Sequence, residues 1–263
     1  MKINSKVKWS DFKIMVDAQT SSDYVKFQVS PENFLKYAID DLRTQDVKGR
    51  INCLTNCKRA IDCQIDWIIS YLGFDYLDFS ENRYPNLNIY MNKVKEEGFS
   101  SDMPFKIKFI QTMGIAPMFL VSNIRKVRNK LEHEYKIPDI AECQEALELA
   151  DLFINSTQNK MWDKKWTDFY IQSNSSTNLD IAISYKTFDT DTPYIEVRNR
   201  SNNKTENYTK FYPKQKEYLE LLYIAIKHEF NMLPKFFGKD WYVNTKLYNF
   251  FKEWYSDYRF LVF

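Results

Sequence analysis

RINCLTNCKRAIDCQIDWIISYL, residues 50–72, decides the fold. Ile51, Leu54, Cys57, Ile61, Ile65, Ile68 and Ile69 recur in it at three- and four-residue steps, the period of a helix with one apolar face, and Gly73 supplies the stop. Upstream, Ser30 ahead of Pro31 and Glu32 reads as an N-cap with proline in the first helical position. Phe34, Leu35, Ala38, Ile39 and Leu42 then form the apolar stripe of a first helix that ends before Gly49. Downstream, Gly73, Pro85, Gly98 and Pro104 break the chain into a connecting region with at most one short helix, around Ile89 to Glu97. The helical pattern resumes at Phe105, is interrupted by Gly114 and Pro117, and continues through Phe119, Leu120, Ile124, Val127 and Leu131 to about Tyr135. Asp139 caps a further helix whose buried side carries Ala141, Ala146, Leu147, Leu149, Ala150, Leu152 and Phe153.

Beyond about Trp162 the period changes. Asp168 to Gln172, Leu179 to Lys186, Tyr194 to Arg198 and Tyr208 to Phe211 read as short strands between polar loops, Pro213 opens a helix through Phe230, and an aromatic tail runs from Trp241 to Phe263. The predicted fold is mainly α. A helical bundle over 1–160 is followed over 161–263 by a smaller α+β region with a short antiparallel sheet.

With 263 residues and 44% hydrophobic content the chain has material for a buried core, and its formal charge of +2 does not by itself point to nucleic acid. Met1 to Lys13 alternates charged and apolar residues without the apolar run of a signal peptide. No stretch reaches the ~18 apolar residues of a membrane span, so a cytoplasmic protein without membrane partners is expected. Cys53, Cys57, Cys63 and Cys143 include no C-x-x-C pair, and only two histidines are present to complete a metal site. Cys53 and Cys57, at i,i+4 spacing, have the spacing to share a soft metal, but buried free thiols are the commoner outcome. The sequons Asn155-Ser156-Thr157 and Asn207-Tyr208-Thr209 would matter only in a secreted protein.

Charge is concentrated in one place. Arg125, Lys126, Arg128, Lys130 and Lys136 fall within twelve residues, opposed only by Glu132 and Glu134. At about 100° per residue, Leu120, Ile124, Val127 and Leu131 share the core-facing sector, while Arg128, Asn129, Glu132 and His133 share a polar arc of roughly 140°, with Tyr135 at its boundary. Two readings follow from those residues. Arg128 and Glu132 form an ordinary i,i+4 surface pair beside a surface histidine, or the arc is an anion site with an arginine fork and a proton-transfer group. His228, inside an amphipathic helix with no arginine at comparable spacing, reads as structural.

The run Arg128-Asn129-Lys130-Leu131-Glu132-His133-Glu134-Tyr135 resembles the R-x4–6-H signature of the HEPN superfamily, and its fuller form R-x4-H-x-Y resembles the toxin and abortive-infection members. The resemblance covers roughly residues 31–160, where it implies a HEPN-like helical bundle, and leaves the C-terminal hundred residues without a counterpart. It implies a metal-independent endoribonuclease with no cofactor, possessing Arg128, His133 and Asn129 as catalytic residues and pairing two protomers so that their motif helices share one active site. Arg125, Lys126 and Lys130 would hold RNA phosphates. Tyr135 matches the tyrosine that a nucleotidyltransferase antitoxin adenylylates in some members, and a phage-defence role goes with that. The alternative is a catalytically inactive HEPN dimer that serves as an RNA- or protein-binding scaffold. In the C-terminal region, Tyr194 and Tyr208 near Arg198, Arg200 and Lys204 either stack on bases or build a small core.

Overall fold

The computed structural model describes residues 12–16, 27–93, 103–116, 119–120, 122–123, 126, 129–130, 136–162, 167–173, 181–186, 192–201 and 204–237. Helix α1 spans Pro31–Arg43. Ser30 and Asn33 cap it reciprocally: Ser30 Oγ accepts from the Asn33 amide at 3.3 Å and Asn33 Oδ1 accepts from the Ser30 amide at 3.0 Å. Helix α2 spans Val47–Tyr71, opening ahead of Arg50 because the Asp46 carboxylate accepts the Gly49 amide at 2.6 Å. Gly49 is thus inside the helix rather than between helices. A Cβ there would lie 2.4 Å from the Asp41 carbonyl oxygen, so the tight α1–α2 turn requires glycine. At the other end Gly73 takes φ +82°, and the Gly73 and Phe74 amides donate to the Ser70 and Ile69 carbonyls at 2.9 and 3.0 Å. This is the Schellman closure that the glycine after the apolar run predicts.

Helix α3 spans Pro85–Lys93, opening at a proline that reads in sequence as a break, and α4 spans Phe105–Thr112. Helix α5 spans Ile140–Trp162 and is capped by Asp139 and Glu142, whose side chains exchange backbone amides at 2.8 and 3.1 Å. Its buried stripe is Cys143, Ala146, Ala150, Phe153, Ile154, Thr157 and Met161. Ala141 and Leu152 are exposed, as is Ile51 on α2, so the apolar faces are rotated slightly from those the sequence suggests. Helices α1, α2 and α5 pack together, with Gln64 donating to Thr157 Oγ1 at 3.0 Å inside the contact. Glu32 takes a hydrogen bond from Gln158. Burial opposes ionisation there, yet this bond and one involving Ser30 hold the Glu32 carboxyl below its ordinary range.

Strands β1 (Phe12–Val16), β2 (Asp168–Ser173), β3 (Ile181–Lys186), β4 (Tyr194–Ser201) and β5 (Lys204–Phe211) form one antiparallel sheet in chain order. Its inner face is Phe12, Ile14, Val16, Phe169, Ile171, Ile181, Ile183, Tyr185, Ile195, Val197 and Phe211, which join the same apolar core as the helices. Helix α6 (Lys216–Lys227) contacts β4, and the chain continues through a 3₁₀ turn at Phe230–Met232 into the short α7 (Leu233–Phe236). Tyrosines tie helices to sheet. Tyr185 of β3 and Tyr218 of α6 donate their hydroxyls to the Tyr71 and Leu72 carbonyls at 2.5 and 2.7 Å, satisfying acceptors at the C-terminus of α2. Phe74 then packs edge-on against Tyr84, Phe109 and Tyr218 at centroid distances of 5.3, 5.3 and 5.9 Å.

The mainly α expectation, a HEPN-like helical bundle with a smaller C-terminal region bearing a short sheet, is therefore corrected. The fold is α+β, with a five-stranded antiparallel sheet whose first strand comes from residues 12–16 and pairs with residues 169–173. The physical reason is long-range pairing. Five alternating residues hold no strand by themselves, and nothing local records a partner so distant in sequence. Among the described residues no helix is long and apolar enough to cross a membrane.

Candidate nucleic-acid interface

Between α4 and α5, Phe119, Leu120, Ser122, Asn123, Lys126, Asn129 and Lys130 are helical. Leu120 is buried and Asn129 exposed, the division that the helical angles give, and Lys126 and Lys130 are exposed as well. Arg125, Arg128, His133 and Tyr135 lie outside the described residues, as does the aromatic tail from Trp241 to Phe263. Lys130 reaches across to α5, its Nζ 3.0 Å from Glu142 Oε1. That pair links the basic segment to the capped start of α5, where the other Glu142 oxygen accepts the Asp139 amide. Both partners are exposed by a third or more, and such a pair is worth at most about 1 kcal/mol. Arg50 Nη1 donates to the Pro138 carbonyl at 2.9 Å, fixing the approach to α5 against the first turns of α2.

All four cysteines are free, with Cys53, Cys57 and Cys143 buried and Cys63 half-buried. Burial first, then Asp66, Glu32 and Asp62, push the Cys63 thiol up to about 11. Burial and the neighbouring Cys53 push Cys143 up to about 12. Neither is a thiolate near neutral pH, so neither is a ready nucleophile. Among the described residues no cluster of histidine, cysteine and carboxylate side chains is arranged to hold a metal ion. His228 takes φ 57° as the left-handed C-cap of α6 and stacks on Phe230 at 5.7 Å, which gives it a structural role.

The sheet adds residues that strand-by-strand reading does not assemble. The register puts Tyr194, Glu196 and Arg198 of β4 on the outer face, opposite Lys210 and Tyr208 of β5, with Lys186 of β3 beside Tyr194. Tyr208 is 64% exposed and so is no part of a small core, while Tyr194 is half-buried. The side chains of Arg200 and Lys204 are not among those described. Period-two alternation in 194–198 and 208–212 carries the signal for this face, but only the register says which rows adjoin. No family model matches the chain, and neither a curated protein nor a solved structure is similar to it.

Proposed function

We propose that the protein is a HEPN-type, metal-independent endoribonuclease of the cytosol, working as a homodimer in a toxin or phage-defence setting. The observation that carries this is the Arg128-Asn129-(x)3-His133-x-Tyr135 run within the chain's densest basic segment, in which Asn129 and Lys130, like Lys126 just before it, are helical and exposed. Free, mostly buried cysteines fit a reducing compartment.

The chemistry follows from the side chains. A ribose 2′-hydroxyl attacks the adjacent phosphorus; one imidazole removes its proton, a protonated imidazole delivers a proton to the departing 5′-oxygen, and a 2′,3′-cyclic phosphate forms. Arg128 offers two parallel N–H donors to the phosphorane oxygens, on which charge grows in the transition state. Asn129 orients either group, and Arg125, Lys126 and Lys130 hold flanking phosphates. One His133 cannot act as base and acid at the same moment, and His228 caps α6 through its backbone and stacks its ring on Phe230. A second protomer supplies the second imidazole. Adenylylation of Tyr135 by a nucleotidyltransferase antitoxin would set negative charge beside Arg128 and fill the phosphate site.

The test is cleavage of RNA by purified protein in EDTA. Products are expected to carry 2′,3′-cyclic phosphate ends, and an all-deoxy strand is expected to survive. Strict dependence on added magnesium or manganese would remove this mechanism. Intact RNA that is still bound, equally well after Arg128 and His133 are both replaced, would favour the scaffold.

A further inference from the structure

The outer face of the sheet presents rings and cations in alternating rows. Tyr208 and Lys210 of β5 are exposed and point the same way, since they are two residues apart, and Tyr212, immediately after the strand, is exposed as well. Lys210 Nζ sits 4.3 Å from the centre of the Tyr194 ring on β4, and Tyr194 and Tyr212 are 5.9 Å apart. Beside them, Arg198 lies opposite Tyr208 in the register.

Among the described side chains of this face, the carboxylates Asp168 and Glu196 are buried, and each is paired with a cation. Asp168 and Glu196 are each only 6% exposed. Lys186 lies over Asp168 at 3.7 Å and Arg198 over Glu196, with about a third or more of each cationic side chain exposed. The carboxylates thus form a lower layer that holds Lys186 and Arg198 in place, and on the β5 side the described side chains that meet solvent are Tyr208 and Lys210, with Tyr212 just beyond the strand. The exposed Tyr208 and Tyr212 rings with Lys210 between them match the alternation of flat bases and charged phosphates in an unpaired strand.

We propose that this face binds single-stranded nucleic acid, with one base stacked on Tyr208, another over the Tyr194–Tyr212 pair, and phosphates at Lys210 and Arg198. Under the ribonuclease proposed above, from which it takes only the choice of RNA, the face would hold the substrate strand away from the cutting residues and set which unpaired segments are engaged. Stacking tolerates any base, so the preference is for unpaired strands rather than for a sequence.

The experiment measures fluorescence anisotropy of a labelled 2′-O-methyl oligouridine about ten nucleotides long. Its blocked 2′-oxygen prevents cleavage, so binding is read whether or not the chain is a nuclease. Tyr208→Ala is expected to weaken binding at least about five-fold, and Tyr208→Phe, which keeps the ring, to preserve it. Lys210→Gln is expected to lower the slope of log affinity against log salt by about 0.7. Circular dichroism checks that each variant is folded; Tyr208 and Lys210 are exposed, so all three should be. Wild-type affinity in folded Tyr208→Ala, no binding by the wild type, or displacement by polyglutamate as readily as by unlabelled oligomer would overturn the proposal, the last pointing to an acidic protein partner. Loss of cleavage in His133→Ala with oligomer binding intact leaves this face standing on its own.

Discussion

Alanine at His133 or at Arg128 is expected to reduce RNA cleavage by about 10²- to 10⁴-fold, the range for removing a proton-transfer group or a preorganised charge from a transition state. The two losses should differ in kind. His133→Ala removes the acid and base, so the residual rate should lose the bell-shaped pH dependence that two imidazoles impose. Arg128→Lys keeps a charge but not the planar fork, and is expected to lie between wild type and Arg128→Ala. RNA binding should survive in His133→Ala, separating chemistry from affinity. Product formation on a defined RNA, followed in EDTA across pH 5–9, reads all of these. Activity within a few-fold of wild type in both alanine variants would place the chemistry elsewhere.

Tyr218→Ala is expected to lower stability by about 3–5 kcal/mol, as for other large aromatic truncations in a core. Tyr218 is fully buried, stands against Phe74, and gives its hydroxyl to the Leu72 carbonyl at 2.7 Å. Burial holds its phenol proton on, well above the ordinary tyrosine range, so the hydroxyl remains a donor at any physiological pH. At about 2–4 °C per kcal/mol for a domain of this size, the melting midpoint should fall by roughly 6–20 °C. Tyr218→Phe keeps the packing and orphans the carbonyl, so about 1–3 kcal/mol is expected. Because this side chain joins α6 to the end of α2, far-UV signals of helix and sheet should melt together in both variants. Two separated transitions, only one of them shifted, would mean that helices and sheet are not one cooperative unit.

How much of this is legible in the sequence depends on whether its cause is local. Ser30-Pro31, Asp139, and Gly73 after an apolar run act through neighbours in the chain, and the structure has their caps and closure as read, with Glu142 adding a return bond to the Asp139 amide. Gly49 shows the limit: read as punctuation, it is a close-packing residue inside α2, because Asp46 caps ahead of it. Pro85 likewise starts a helix rather than ending structure. The strand at Phe12–Val16 carries the right alternation, Phe12, Ile14 and Val16 inward and Lys13 and Met15 outward, yet its meaning comes only from pairing with β2. For the site, the angular sectors put Leu120 inward and Asn129 outward, as observed. The aromatic and basic rows of the outer sheet face required the register, since Glu196–Lys210 and Arg198–Tyr208 are neighbours across strands, not along one.

The most direct test of a shared, histidine-driven ribonuclease site is a subunit-mixing titration. Wild type and His133→Ala are exchanged at varied ratios, exchange is verified by mass, and RNA cleavage is measured in EDTA. If each site needs both histidines, activity survives only in wild-type homodimers and follows the square of the wild-type fraction, so an equal mixture retains about one quarter of full activity. A linear decline after complete exchange, or full activity in a strictly monomeric protein, would contradict the shared site.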